Sequence, residues 1–267
     1  MAERQPHSED SWNEGTDYDQ FMGRWSRLVA ARFVADLAIP AHKRWLDVGC
    51  GTGALLGAIL EAAEPSFLAG IDPSTDFVTA ASESTDMRAD VRTAFGEDLP
   101  FGDDEFDVVV SGIALNFMPD PVAALQEWRR VAAPGATISV YLWDYRGAME
   151  FLRSFWDIAS DLDPFAESLD EGVRFPLCQP EPLASAFVSA GMAHPTIGSI
   201  EVPTVFADFN DYWLPFTHGQ GPAPGYVTDL PPDARERLRS ALRDSLEADQ
   251  EGRIHLQARA WTASATS

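Results

Sequence analysis

The segment Trp45-Leu46-Asp47-Val48-Gly49-Cys50-Gly51-Thr52-Gly53 leaves few folds open to this chain. An apolar run enters three glycines spaced by single residues, and a helix-forming stretch (54–63) follows, which spells strand, tight turn, helix. Glycine is needed where the backbone takes a positive φ or where a ligand comes within van der Waals contact. Asp72 closes a second apolar run nineteen positions beyond Gly53. At that spacing a carboxylate is the usual acceptor for a ribose hydroxyl pair. The pattern predicts a nucleoside-bearing ligand at the ends of two parallel strands.

The alternation continues along the chain. Strands are expected at 44–48, 67–71, 91–95, 106–111 and 137–143, with helices at 54–63, from 76, and at 121–132. The fourth strand is wholly apolar after its first turn, the mark of burial on both faces of a parallel sheet. A βαβα order implies a doubly wound α/β sheet with right-handed crossovers. Ahead of it, Phe21, Trp25, Leu28, Val29, Phe33 and Leu37 recur at helical spacing over 18–37, while 1–15 read as a loose polar tail. After Tyr145 the rhythm changes. Helices are expected at 149–162, 182–190 and 233–249, strands at 196–205 and 253–262, and a Gly/Pro/aromatic loop at 206–224.

Composition narrows the partners. With 267 residues, 45% of them apolar, the chain can build one large core. A net charge of −23, with one lysine against eighteen arginines, excludes nucleic acid as a partner. That charge reads as an acidic, salt-adapted or high-GC proteome before it reads as steering of a cationic substrate. No apolar run is long enough to span a bilayer, and the start lacks a secretion pattern, so a cytoplasmic protein is expected. Two cysteines, Cys50 in the glycine turn and Cys178 between prolines, have no metal-ligand spacing, and no metal is expected.

Leu46–Gly53 resembles the first motif of class I S-adenosylmethionine-dependent methyltransferases. The similarity continues through Gly70-Ile71-Asp72, Leu99-Pro100-Phe101, Phe106-Asp107-Val108-Val109-Val110-Ser111 and Leu115-Asn116-Phe117-Met118-Pro119-Asp120-Pro121. The bacterial small-molecule branch, typified by quinone-biosynthesis methyltransferases, is the most similar; the opening Tyr18–Ser26 also resembles it. The resemblance implies a seven-stranded Rossmann-like sheet with helices on both faces and the last strand antiparallel. It also implies S-adenosylmethionine as donor, S-adenosylhomocysteine as product, a small-molecule acceptor, and a monomer or homodimer. Residues 16–267 would form a single methyltransferase domain, with a lid helix (16–40), a cofactor core (41–145) and substrate-pocket elements (146–195 and 206–252). A dinucleotide enzyme is the rival, since Gly49–Ala54 also satisfies G-x-G-x-x-A, but Asp47 would repel a pyrophosphate. A cofactor-binding protein without turnover is the other alternative.

The resemblance also implies roles. Gly49, Gly51 and Gly53 would line the methionyl chain, Cys50 would contribute backbone only, and Asp47 would orient the ammonium. Asp72 would accept the ribose hydroxyls, with Pro73 near the adenine. The family's D-A-E-x-L-P-F is here Phe95-Gly96-Glu97-Asp98-Leu99-Pro100-Phe101. The amides of Gly96 and Glu97 can meet the ring, but the adenine amine must go to Asp98, Glu97 or water. Ser111, Gly112 and Ile113 would border the sulfonium. Asn116 would face the reaction chamber or cap the helix near Asp120. Tyr18 and Arg24 would close over the cofactor, Arg24 pairing with its carboxylate. No nucleophile–base cluster is legible, and His218 is the one candidate base among the histidines. Aromatic residues from Trp143 to Trp156 and from Phe209 to Phe216 would line the acceptor pocket or fill the core.

Overall fold

The computed structural model describes residues 22–218 and 221–267. Its strands are β1 (Arg44–Val48), β2 (Phe67–Asp72), β3 (Asp90–Thr93), β4 (Phe106–Gly112), β5 (Ala132–Trp143), β6 (Thr196–Phe206) and β7 (Ile254–Thr266). They lie in one sheet in the order β3-β2-β1-β4-β5-β7-β6. Strands β1 to β5 pair in parallel, whereas β7 runs antiparallel to β5, with Trp143 opposite Ala260 and Thr137 opposite Thr266. This is the expected doubly wound sheet with its reversed last strand. Val108 to Ser111 of β4 are all buried, as are Trp45 to Val48 of β1, so neither strand alternates.

Local chemistry sets where the helices start. Helix α1 (Arg24–Leu37) buries Trp25, Val29 and Phe33 on one stripe. Helix α2 (Ala54–Ala62) follows the glycine turn directly. Helix α3 (Thr75–Ser84) is capped by Ser74, whose Oγ accepts the Phe77 N–H at 3.3 Å. Helix α4 (Pro121–Val131) is capped by Asp120, which accepts from Val122 and Ala123, with proline at its first position.

The chain divides into two compact units. The first comprises Gly23–Trp143, Leu177–Val202 and Arg259–Ser267, and includes α1 to α4. The second takes Asp144–Pro176 and Pro203–Ala258. Helices α5 (Glu150–Leu162) and α6 (Glu171–Arg174) lie in the second unit, and α7 (Pro180–Ser189) lies in the first. Helices α8 (Phe209–Trp213), α9 (Pro222–Asp229) and α10 (Pro232–Ser245) complete the second unit. Its core is a stack of rings: Phe155 lies face to face with Phe216 at 4.5 Å and edge-on to Trp156 at 4.9 Å. The Tyr212 hydroxyl donates to the Phe151 carbonyl at 2.8 Å. Phe151, Phe155, Trp156, Tyr212 and Phe216 are each at most 2% exposed, so these rings are core. Glu171 is buried among them and accepts the Trp156 indole N–H, while Asp170 beside it pairs with Arg153 at 2.6 Å.

Among the element boundaries that differ from the sequence reading, three have a plain local cause. The stretch 206–224, read as a loop, holds α8, a 3₁₀ turn (Leu214–Thr217) and the start of α9. Asp208 caps α8 by accepting from Asp211 at 2.9 Å, and Pro222 opens α9 where a missing N–H costs nothing. Helix α10 stops at Ser245 rather than 249, because Asp249 instead closes a turn by accepting from Glu251 and Arg253. Strand β7 runs on to Thr266 rather than 262, since β5 offers a partner along that length.

Candidate functional site

Strand β1 feeds the glycine turn at the carboxyl edge of the sheet. Gly49 and Cys50 both donate to the Ile71 carbonyl, at 2.8 and 2.9 Å, which ties the turn to the end of β2. Asp72 then braces two segments. Its Oδ2 accepts from the Gly51 N–H at 3.0 Å and its Oδ1 from the Ser74 N–H at 2.9 Å. Each oxygen keeps further acceptor capacity. The turn takes φ of +74° at Gly49 and +52° at Gly51. A Cβ at Gly49 would collide with that of Ala114, so packing demands glycine there. At Gly51 a Cβ would meet no atom within 4 Å among the described residues. That position borders open space beside Asp72.

Asp47 sits immediately before this turn. Its side chain is wholly buried, and neither carboxylate oxygen has a hydrogen-bond donor among the described residues. Burial pushes its carboxyl well above the usual carboxylate range, and the charge of Asp72 adds to the shift. Burial raises Asp72 as well, opposed by the N–H groups of Ser74 and Gly51. The Cys50 thiol is raised by burial and then by both acids, which keeps it protonated and unreactive. Two carboxyls are thus buried at the turn, and that of Asp47 has no donor among the described residues.

On the β4 side, the Ser111 hydroxyl and both polar atoms of the Asn116 amide are buried without partners among the described residues. Asn116 does not cap α4, since Asp120 does that. Ile113 takes φ of +59°, rare for a β-branched side chain and costing on the order of 1–3 kcal/mol. Its N–H donates to the Tyr141 carbonyl at 2.8 Å, and the Tyr141 ring and hydroxyl cover Gly112.

On the β3 side, the Ala94 N–H reaches the Asp72 carbonyl at 3.2 Å, and the chain then turns tightly over Phe95–Asp98. Gly96 lies against Met118 and Val48, and its carbonyl accepts the Trp128 indole N–H at 3.0 Å. Phe95 is 66% exposed and Asp98 is exposed, whereas Glu97 Oε1 is buried without a donor among the described residues.

Thus Asp47, Gly49, Cys50, Gly51, Gly53, Asp72, Pro73, Gly96, Glu97, Asp98, Ser111, Gly112, Ile113 and Asn116 all fall at the carboxyl ends of β1 to β4 or in the segments that follow them, within the first unit. Open parallel sheets bind ligands at that edge. Arg24, in the first turn of α1, lies over the Trp25 ring at 4.4 Å. Tyr18 lies outside the described residues. His218 is exposed, in the second unit, at the end of the Leu214–Thr217 turn. Trp128 and Met118 were not singled out by sequence reasoning. Trp128 belongs to the buried stripe of α4 with Ala124, Leu125 and Val131, and pattern alone marks it as core. No group of three or more His, Cys, Asp or Glu able to hold a metal occurs among the described residues, and no helix among them is long and apolar enough to cross a membrane.

Comparison with known proteins agrees with this geometry. Residues 46–140 match the family model described as a methyltransferase domain. A demethylmenaquinone methyltransferase of Staphylococcus carnosus is 33% identical over 130 residues, which cover 46% of this chain and 54% of that protein. The chain therefore spans about half the length of the curated relatives it matches. Among solved structures, the YcgJ protein of Bacillus subtilis is similar with a TM-score of 0.57 at 17% identity, over 91% of this chain and 98% of that one. A Haemonchus contortus phosphoethanolamine N-methyltransferase, solved with S-adenosylhomocysteine, has a TM-score of 0.57 at 14% identity, over 95% of this chain and 56% of that one. These two likenesses speak for the fold. The match over residues 46–140 takes in the glycine turn, Asp72 and the β4 edge, and there the chain is similar to methyltransferase domains.

Proposed function

We propose that this chain moves a methyl group from S-adenosylmethionine to an O, C or N nucleophile of a small aromatic or apolar molecule, mainly by holding the reactants close and aligned. The observation that carries this reading is Asp47, a wholly buried carboxyl with no donor among the described residues, set beside Asp72 at the glycine turn. A cationic ligand group relieves that arrangement, whereas a dinucleotide pyrophosphate would add negative charge to it.

When bound, the donor supplies an electrophilic methyl on a sulfonium. The chain's own residues do the rest. Asp47 orients an ammonium, Asp72 accepts a ribose hydroxyl pair with the capacity its two backbone donors leave, and Gly51 lets the ligand chain pass close. Ser111 and Asn116 contribute buried polar groups to the chamber beyond β4. Proximity and exclusion of water can provide most of the rate of an in-line displacement. A base is called for only where the acceptor holds a proton at neutral pH. The name of the Staphylococcus relatives supports a quinol-like acceptor.

Calorimetry with S-adenosylhomocysteine and with NAD tests the donor, and labelled-methyl transfer to quinols, catechols and amines tests the acceptor. Binding of the first nucleoside alone and turnover on a quinol or catechol are expected. Preference for NAD overturns the donor assignment; turnover confined to aliphatic amines overturns the acceptor assignment.

A further inference from the structure

Strand β3 closes one side of the sheet among the described residues, and β6 closes the other. An edge strand offers a row of N–H and C=O groups to any second strand, and proline or unbalanced charge on the edge prevents pairing. β6 carries Pro203 within its span. β3 has no such guard. The N–H of Ala94 donates to the Asp72 carbonyl at 3.2 Å. Backbone groups alternate along an extended strand, so those of Arg92 also turn to β2, and those of Val91 and Thr93 turn outward. In a chain of net charge −23, residues 86–93 hold two acids, Asp86 and Asp90, and two arginines, Arg88 and Arg92. Met87 and Phe95 flank the strand. At 75% and 66% exposed they are the most exposed large apolar side chains among the described residues. A charge-balanced edge with an apolar residue at each end suits a second copy of the same chain.

We propose that two copies pair antiparallel through β3, with Val91 opposite Val91 on the two-fold axis. The two valines then exchange a pair of backbone hydrogen bonds, and Asp90 of each copy stands opposite Arg92 of the other. Asp90 already pairs with Arg92 of its own chain at 2.6 Å, so the axis sets two ion pairs side by side with alternating sign. The same symmetry brings Met87 of one copy to the end of the ladder where Phe95 of the other stands. Neighbouring registers fail. Centring on Arg92 sets guanidinium against guanidinium, and centring on Asp90 sets carboxylate against carboxylate. Registers centred before Asp90 need Asp86 and Met87 extended, but both take left-handed φ, +51° and +59°. Those centred on Thr93 or beyond run into the Phe95–Asp98 turn.

Sedimentation velocity of the full chain should show the mass rising toward twice the monomer's between about 10 µM and about 500 µM, as a small interface dictates. Sodium chloride at about 1 M should tighten the dimer severalfold, because it screens the like net charges of the two copies. Val91→Pro removes one outward N–H without touching the β2 ladder. It should weaken the dimer by about tenfold or more at an unchanged melting temperature. Chains carrying Asp90→Arg or Arg92→Asp should each stay monomeric, since like charges then face across the axis. Mixed together, the two should pair, because each charge now meets its opposite. Recovery on mixing cannot arise from misfolded variants. A parent that stays monomeric across that range, a Val91→Pro chain that dimerises as the parent does, or charge variants that fail to pair when mixed overturns the assignment.

Discussion

Asp47 is a carboxyl that the folded chain surrounds without supplying a donor, and this makes a thermodynamic demand on whatever binds. With its carboxyl held well above the usual range, the ligand-free site tends to keep its proton. An arriving ammonium favours the ionised form, so binding should expel a proton. Calorimetric titrations with S-adenosylhomocysteine in two buffers of unlike ionisation heat should therefore give different apparent enthalpies. Asp47→Asn should lose that difference and bind about tenfold or more weakly, while its melting temperature holds or rises. Equal heats in both buffers for the parent would contradict this account. At this scale the sequence was informative where chemistry and backbone shape coincide. Asp47, Gly51 and Asp72 declare themselves by residue type and spacing. The left-handed φ of Ile113 does not, because nothing in the letters marks a β-branched residue as strained.

Strands and helices were legible to different depths. β1, β2 and β4 read clearly because parallel strands covered on both faces must be apolar without interruption. Helices α8 and α9 did not, because Gly, Pro and aromatic residues dominate 206–224 and all have poor helix propensity. Burial of Ala223, Tyr226 and Val227 outweighs that propensity, an effect visible only once the tertiary partners exist. Element α4 bears a testable load. It supplies Trp128, whose indole both fills the core and pins the 95–98 turn through Gly96. Trp128→Phe keeps most of the apolar bulk but leaves that buried carbonyl unpaired. We expect a loss of about 1–3 kcal/mol in urea unfolding, seen as a lower midpoint at unchanged slope. Weaker S-adenosylhomocysteine binding should accompany it. Unchanged stability would mean the turn holds itself.

For the molecule as a whole, charge follows from composition, and Glu171 adds its own share to the pH dependence beside Asp47 and Asp72. A net charge of −23 repels itself in the compact state, and salt screens that repulsion. Raising sodium chloride from roughly 50 mM to about 1 M should lift the melting temperature by roughly 5 °C; a fall would show that specific ion pairs dominate. Glu171 acts in the opposite sense to a salt-bridged acid. Burial, opposed by the Trp156 N–H and reinforced by Asp170, pushes its carboxyl from 4.5 up to about 7. The folded chain thus retains a proton that the unfolded chain releases near 4.5. Stability conferred by the neutral form is complete below that pH, falls as pH rises through about 7, and is lost above it, by about 3 kcal/mol. Glu171→Gln should reduce that slope, its melting curve meeting the parent's in acid and lying above it at pH 8. Parallel curves at every pH would remove Glu171 from the account.

The two glycines at the head of the turn also predict how the chain tolerates mutation. In a variant library sorted only for abundance in the cell, substitutions at Gly49 should be purged, because a side chain there collides with Ala114. At Gly51 alanine meets no protein atom within 4 Å among the described residues and incurs only the left-handed backbone penalty, about 1 kcal/mol. Many such variants should survive that sort and disappear only when the library is selected for ligand capture. The contrast between the two screens would locate the ligand's path without a bound complex.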